Sequence, residues 1–358
     1  MMETSAIHHP ISQTTRIPTV EDFRPGLELA EDPKAWQLRA TELVGASLVE
    51  VESLLQRTLV SPFPAFTELL QYVAHLGGKR LRPTLTLLSA LASGSSSPNS
   101  DAIRLAAVVE LVHTATLVHD DMLDDADYRR HAVAIHKQWD NKTAILCGDW
   151  LFTRAYGLAN EGESTLPGKW IADAACRLCE GEMLQNQAVG DWELSEKKYI
   201  EILRAKTGEL CAVSCKLGAW TSNSSDAVCT ALDAYGSDLG VAFQLHDDWL
   251  DYWGSRDSMG KPDHADLMAS KMTLPLIYLL DQSSEDQKKD ILTALMDERA
   301  SRIARIHEHL ERVSAELYIR RTAVRYAEKA KTHLGVLPPS PARDALSMLA
   351  NLSIARFS

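Results

Sequence analysis

Two short stretches of this sequence carry the residues most capable of chemistry. His119-Asp120-Asp121-Met122-Leu123-Asp124 recurs far downstream as His246-Asp247-Asp248-Trp249-Leu250-Asp251. On a helix, positions four apart share a face, roughly 6 Å from each other. Asp120 therefore lies beside Asp124, and Asp247 beside Asp251. Like charges so placed repel. One such cluster is ordinarily a solvated acidic helix end. Two matching copies, each closing an apolar stretch (108–118 and 239–245), call for a positive partner. Hard carboxylate oxygens suit Mg²⁺, which keeps part of its water shell and bridges carboxylates to phosphates. An EF-hand calcium loop is excluded, because neither stretch has the central Gly and terminal Glu that it requires.

Cations accompany the carboxylates. Gly77-Gly78-Lys79-Arg80-Leu81-Arg82-Pro83 places three of them just before a helix whose first turn holds Pro83. A helix start with nearby cations suits an anion. Arg129-Arg130 follows the first acidic stretch, Lys206-Thr207-Gly208 lies inside a helical pattern, and Lys261 and Lys271 follow the second acidic stretch. Carboxylates for a metal plus separate cationic clamps describe diphosphate binding. His113, seven residues before Asp120, shares its face. On its own it reads equally as a core histidine or a ligand.

The elements that must position these groups are helical. Apolar residues recur at three- and four-residue spacings from Trp36 onward. The periodicity predicts helices over about 65–76, 81–94, 102–125, 141–160, 167–188, 195–221, 225–252, 270–281, 285–298, 300–333 and 340–356. Loops rich in Gly, Ser and Pro fall at 94–100, 254–262 and 337–341, where Ser340 is placed as an N-cap and Pro341 at N1. Alternating strand patterns are almost absent. The expectation is a polar tail over 1–32 and a single all-α domain over 33–358, a helical bundle around a central cavity.

Composition narrows the classes. Lys and Arg number 37 against 49 Asp and Glu, a net charge of −12, which argues against nucleic acid as a partner. No apolar run reaches the ~18 residues that span a bilayer, and the N-terminus lacks a signal-peptide pattern. Six Cys without a small-domain framework read as reduced thiols of a cytoplasmic protein. Cys176-x-x-Cys179 and Cys211-x-x-x-Cys215 sit in helical patterns without the loops of structural zinc sites. His119 and His246 read as supports behind the acidic clusters. Trp139, Trp150, Trp249 and Trp253 read as core, the last two also as candidates to border an apolar tunnel.

In order and spacing these motifs resemble the all-trans polyprenyl diphosphate synthases, the isoprenoid chain-elongating prenyltransferases. Gly148-Asp149, Glu180-Gly181-Glu182, Phe243-Gln244, Gly260-Lys261-Pro262 and Lys271-x-Thr273-Leu274-Pro275 complete the set, which runs from about residue 40 to 354. The resemblance implies that an allylic diphosphate, farnesyl or geranylgeranyl, ionises with Mg²⁺ held between the acidic motifs. The double bond of isopentenyl diphosphate then attacks the cation. It implies Asp120, Asp124 and Asp247 as direct metal ligands, with Asp121, Asp248 and Asp251 as further or supporting ones. It implies Lys79, Arg82, His113 and Arg130 at the isopentenyl diphosphate. Arg129, Lys206, Lys261 and Lys271 would hold the allylic diphosphate, with Thr207 and Gln244 beside the reacting region.

By the same resemblance, bulky residues at positions 115 and 116 would close the product tunnel. Ala115 and Thr116 are small, so the expected product is medium to long, with octaprenyl diphosphate the expected length from the look of the C-terminal segment. A homodimer is implied, and a very apolar product suggests transient membrane contact at release without an anchor. The family's usual glycines are replaced by His131, His264 and Ser270, each adding a side chain near the diphosphate sites. Two other readings stay open. A terpene cyclase or head-to-head synthase would not need Lys79, Arg82 and Arg130. A non-catalytic partner subunit would tolerate eroded acidic motifs, whereas both are intact here.

Overall fold

The computed structural model describes residues 33–129, 132–254 and 264–354. The expected tail over 1–32 lies outside the described residues, as do Arg130, His131, Lys261 and residues 355–358. The described chain is almost wholly helical. In order come α1 (Pro33–Thr58), α2 (Pro64–His75), α3 (Leu81–Ala92) and α4 (Ser100–Leu123). A two-strand ribbon follows, β1 (Tyr128–Arg129) antiparallel to β2 (Ala132–Val133). Next are α5 (Ile135–Gln138), α6 (Asn141–Ala159), α7 (Leu166–Gln187) and α8 (Glu196–Leu203). A wide π-type turn (Arg204–Gly208) leads into α9 (Glu209–Thr221), then α10 (Asp226–Trp253) and the short α11 (Ala265–Met268). The chain ends with α12 (Leu274–Asp281), α13 (Glu285–Leu295), α14 (Arg299–Arg312), α15 (Ala315–His333), a 3₁₀ turn (Leu334–Val336) and α16 (Pro341–Leu352).

Side-chain caps explain six of the helix starts among the described residues. Asn99, Asp140, Ser195, Ser225, Ser284 and Ser340 each accept a backbone N–H in the first turn of the helix that follows. α4 is the centre of the bundle. It packs against α1, α3, α6 and α9, and its residues 105–109 are completely buried. By length and composition α4 is apolar enough to cross a membrane. This corrects the expectation that no stretch is: the interruptions Arg104 and Glu110 are too few to lower its average, and both are neutralised inside the bundle. α10 is the second central helix, lying on α9, α15 and the π-type turn.

Two apolar cores result. One gathers α3, α4, α6, α9 and α16; the other gathers the end of α10 with α8 and α12–α15. Trp249 belongs to the second, buried and donating from Nε1 to Glu316 at 3.3 Å, as its reading as a core residue expects.

Several boundaries differ from the periodicity. The expected 195–221 helix is interrupted by the π-type turn, and the expected 300–333 helix breaks at Ser314, whose φ is 55°. Residues 270–273 are not helical: Ser270 has φ 53°, and Thr273 is extended before a helix whose first turn contains Pro275. His264 also has φ 58°. Two of the three residues that stand in place of glycine thus adopt the left-handed backbone that glycine favours.

Candidate active site

Both acidic clusters sit in the last turns of long helices, where unpaired carbonyls already make the field negative. Carboxylates there are doubly unfavourable without cations. At the end of α4, Asp121 is buried and held by Arg129, whose Nε donates to its Oδ1 at 2.7 Å. Arg129 is the second residue of β1 and reaches Asp121 from the ribbon. Asp124 caps the helix and is half exposed, with Lys271 Nζ 3.9 Å from its Oδ1. Asp120 is half-buried. Its carboxyl is pushed up to about 6, chiefly by burial and further by Glu182 and Asp124, against the pull of Lys206 and Arg129.

At the end of α10 the inward carboxylates meet neutral donors. Asp248 is buried; the Tyr199 hydroxyl donates to one oxygen, and Gln244 Nε2 donates to the other at 3.0 Å. Burial and the neighbouring Asp266 hold its carboxyl well above the usual carboxylate range. Asp251 accepts the Asp266 backbone N–H at 3.1 Å and is raised to about 6, again mainly by burial. Asp247 is the exposed member. The carboxylates that reach outward are therefore Asp120, Asp124 and Asp247. Lys271 bridges the clusters: it lies 3.7 Å from Asp266, and its ammonium is favoured by Asp266, Asp124, Glu182 and Asp248 against the opposing effect of burial.

The π-type turn brings Lys206 and Thr207 to the same place. Lys206 Nζ pairs with Glu182 of α7 at 2.6 Å. Thr207 Oγ1 donates to Gln244 Oε1 at 3.1 Å, which completes a chain from Thr207 through Gln244 and Asp248 to Tyr199. The turn can lie this close because glycines face each other: a Cβ on Gly240 would stand 2.6 Å from the Gly208 Cα.

In the loop before α3, Arg80, which the sequence leaves without a role, is the cation that turns away from solvent. Arg80, with φ 49°, turns inward; its guanidinium grips Glu52 with two bonds of 2.9 Å and Glu110 at 2.7 Å. That clamp fixes the loop, leaving Lys79 exposed and Arg82 half-buried. A lone Glu110 within an apolar run was the one sequence signal for such a partner. A cleft runs from this loop along α4 to Asp121 and Arg129. On α4, His113 and Thr116 are half-buried and Ala115 is fully buried, the Thr116 hydroxyl donating to the His113 carbonyl at 2.8 Å. His119 is seated in a gap opposite Gly148, its Nε2 3.1 Å from the Ile145 carbonyl.

Among the described residues, no three His, Cys, Asp or Glu side chains form a ready-made metal cage. Cys211 and Cys215 are buried in α9, while Cys176 and Cys179 are exposed on α7. The outward carboxylates are split between two helix ends. This donor set fits Mg²⁺, whose remaining ligands are water and phosphate oxygens.

Comparison with known proteins gives one family. The polyprenyl synthetase family model matches residues 63–313. A short chain isoprenyl diphosphate synthase of Methanothermobacter thermautotrophicus is 36% identical over 290 residues, covering 80% of this chain and 89% of its own. An octaprenyl diphosphate synthase of Haemophilus influenzae is 35% identical over 319 residues, covering 88% and 95%. Other relatives are named geranylgeranyl, nonaprenyl and decaprenyl diphosphate synthases. A polyprenyl synthase from Caulobacter crescentus, solved with calcium and isoprenyl diphosphate, superposes with a TM-score of 0.82 at 35% identity over 89% of this chain and 98% of its own.

Proposed function

The chain belongs to the polyprenyl synthetase family and is a prenyltransferase making all-trans polyprenyl diphosphates; from that premise we propose that it condenses isopentenyl diphosphate with an allylic diphosphate, farnesyl or geranylgeranyl, in a Mg²⁺-dependent reaction. The carrying observation is the pair of acidic helix ends with Lys271 between them. Asp120, Asp124 and Asp247 are the residues that would hold Mg²⁺, with Asp121, Asp248 and Asp251 orienting them from behind. When bound, the metal would neutralise charge on the departing diphosphate.

Lys206 and Lys271, with Arg129 and Lys261, hold the allylic diphosphate while its C–O bond breaks and an allylic carbocation forms. Lys79, Arg82, His113 and Arg130 hold isopentenyl diphosphate so that its double bond attacks that carbocation. A proton is then lost to the released diphosphate, and the chain grows by one isoprene unit. Thr207 and Gln244 keep ordered donors beside the reaction in place of loose water.

The product is medium to long, with octaprenyl the proposed length; the small Ala115 and Thr116 and the octaprenyl-synthase relative support that reading. The chain works as a homodimer: Ile145 and Leu146 of α6 and Leu166, Met183 and Leu184 of the adjoining α7 are exposed apolar groups suited to burial against a second copy. Six free cysteines support a cytoplasmic, reducing setting.

The test is incubation with isopentenyl diphosphate, farnesyl diphosphate and Mg²⁺, with and without a chelator, read by mass spectrometry. A chelator-sensitive ladder ending at one length is expected. Hydrocarbon formed from the primer alone would replace this reading with a cyclase. Failure to consume isopentenyl diphosphate with either primer would overturn it.

A further inference from the structure

Behind the π-type turn, on the side away from the acidic clusters, lies a second ionic centre. Asp238 of α10 is 1% exposed. Arg204, the first residue of the turn, donates to its Oδ1 at 2.6 Å and to the Ser237 hydroxyl at 2.9 Å. From α15, Lys329 approaches the Asp238 carboxylate at 3.3 Å and His333 Nε2 at 3.0 Å. The Arg204 guanidinium also lies over the Tyr326 ring, 5.5 Å from its centre.

A carboxylate this deep is expensive to bury, and an apolar side chain would serve packing of α10 on α15 at least as well. What an apolar side chain could not do is hold an arginine. The turn that Arg204 opens needs holding: a five-residue π turn is less regular than the helices on either side and is a frequent device at functional sites. Its inner face is fixed by Lys206–Glu182 and Thr207–Gln244. Its outer face is fixed at Arg204 by α10.

We infer that Arg204 and Asp238 are positioning residues: the Asp238 carboxylate and Ser237 hydroxyl grip the Arg204 guanidinium so that Lys206 and Thr207 are presented to the allylic diphosphate. This rests on the proposed role of Lys206. The two partners on α15 share the carboxylate but do not touch the turn, so they separate positioning from stability.

The experiment compares Arg204→Ala, Arg204→Lys, Lys329→Ala and Lys206→Ala for kcat, for the KM of each substrate and for Tm. Arg204→Ala is expected to lower kcat by about 10–100-fold and raise the KM for the allylic diphosphate, with the KM for isopentenyl diphosphate unchanged. Arg204→Lys should recover part of kcat, since a lysine keeps the charge but cannot fork to Ser237. Lys329→Ala should lower Tm while kcat stays within about twofold, because it removes only one of several partners of the buried charge. Wild-type kinetics in Arg204→Ala, or parallel losses in Arg204→Ala and Lys329→Ala, would overturn the inference. If Lys206→Ala is inactive while Arg204→Ala is not, only the positioning claim falls. If Lys206→Ala itself keeps wild-type kinetics, the assigned role of the turn falls and takes the inference with it.

Discussion

At the end of α4 the buried aspartate of the triplet meets a guanidinium, whereas at the end of α10 its counterpart meets a phenol and a carboxamide. The local sequences are nearly the same. The first cluster is held by charge, through Arg129 and Lys271. The second is held by neutral hydrogen bonds inside an apolar core, and its inward carboxylates are driven toward their protonated forms. Nearly the same local sequence is therefore held in two different ways. The second end is tied through Gln244 into Thr207.

The most direct attempt to break this contrast is at the outward residues, where it should vanish. Asp120→Asn and Asp247→Asn are each expected to lower the condensation rate by about a thousandfold, measured at saturating Mg²⁺ and substrates. A loss at only one of them would mean that one cluster carries the metal alone. The inward residues should differ. Asp248→Asn removes the charge that strengthens the Tyr199 and Gln244 bonds and loosens the chain to Thr207, so kcat should fall about 10–100-fold. Asp121→Asn loses a charge-assisted bond, and its main effect should be on stability, about 1.5–3 kcal/mol by denaturant unfolding.

pH sharpens the same contrast. In metal-free protein, Asp120 and Asp251 titrate near 6 rather than near 3.8. Between those values the native state holds more protons than the unfolded chain. The stabilising contribution is thus complete below about pH 4 and lost as pH rises through about 6. Scanning calorimetry should show Tm rising as pH falls from 8 to 5. Mg²⁺ with inorganic diphosphate should flatten that slope, and an unchanged slope would deny that the ligands reach these carboxylates.

Smaller effects probe the supports. In Gly148→Ala the new Cβ would stand 2.1 Å from His119 Nε2. Overpacking of that kind costs about 1–3 kcal/mol, and it should disturb the first cluster only. Near the second cluster, Ser270→Gly should relieve a left-handed backbone and raise stability by about 1 kcal/mol. A loss of stability there would mean that the Ser270 side chain has become part of the loop.

What the sequence made legible was whatever depends on spacing. Asp120, Asp124 and Asp247 announce themselves by repetition, and the Ser340 cap by residue type. What it concealed depends on partners distant in the chain. Arg80 carried no assigned role because Glu52 and Glu110, which engage it, are 28 and 30 residues away. Tyr199 and Asp238 gave no signal, since their roles exist only once α8, α10 and α15 have packed. The π-type turn was invisible because one extra residue within 195–221 barely disturbs an apolar rhythm, although it changes which residues face Gln244.

The central helix α4 also bears on how this protein is made. Its length and composition satisfy the requirements of a membrane span, yet its burial needs α6 and α9, which end at Ala159 and Thr221. At a synthesis rate of roughly 5–20 residues per second, the nascent chain displays this greasy segment for about 5–20 seconds before its cover emerges. During that interval an apolar segment is exposed before it can be buried. Holding it in solution until α9 arrives is thus a kinetic requirement on biogenesis, imposed by the same helix that later ends in Asp120 and Asp124.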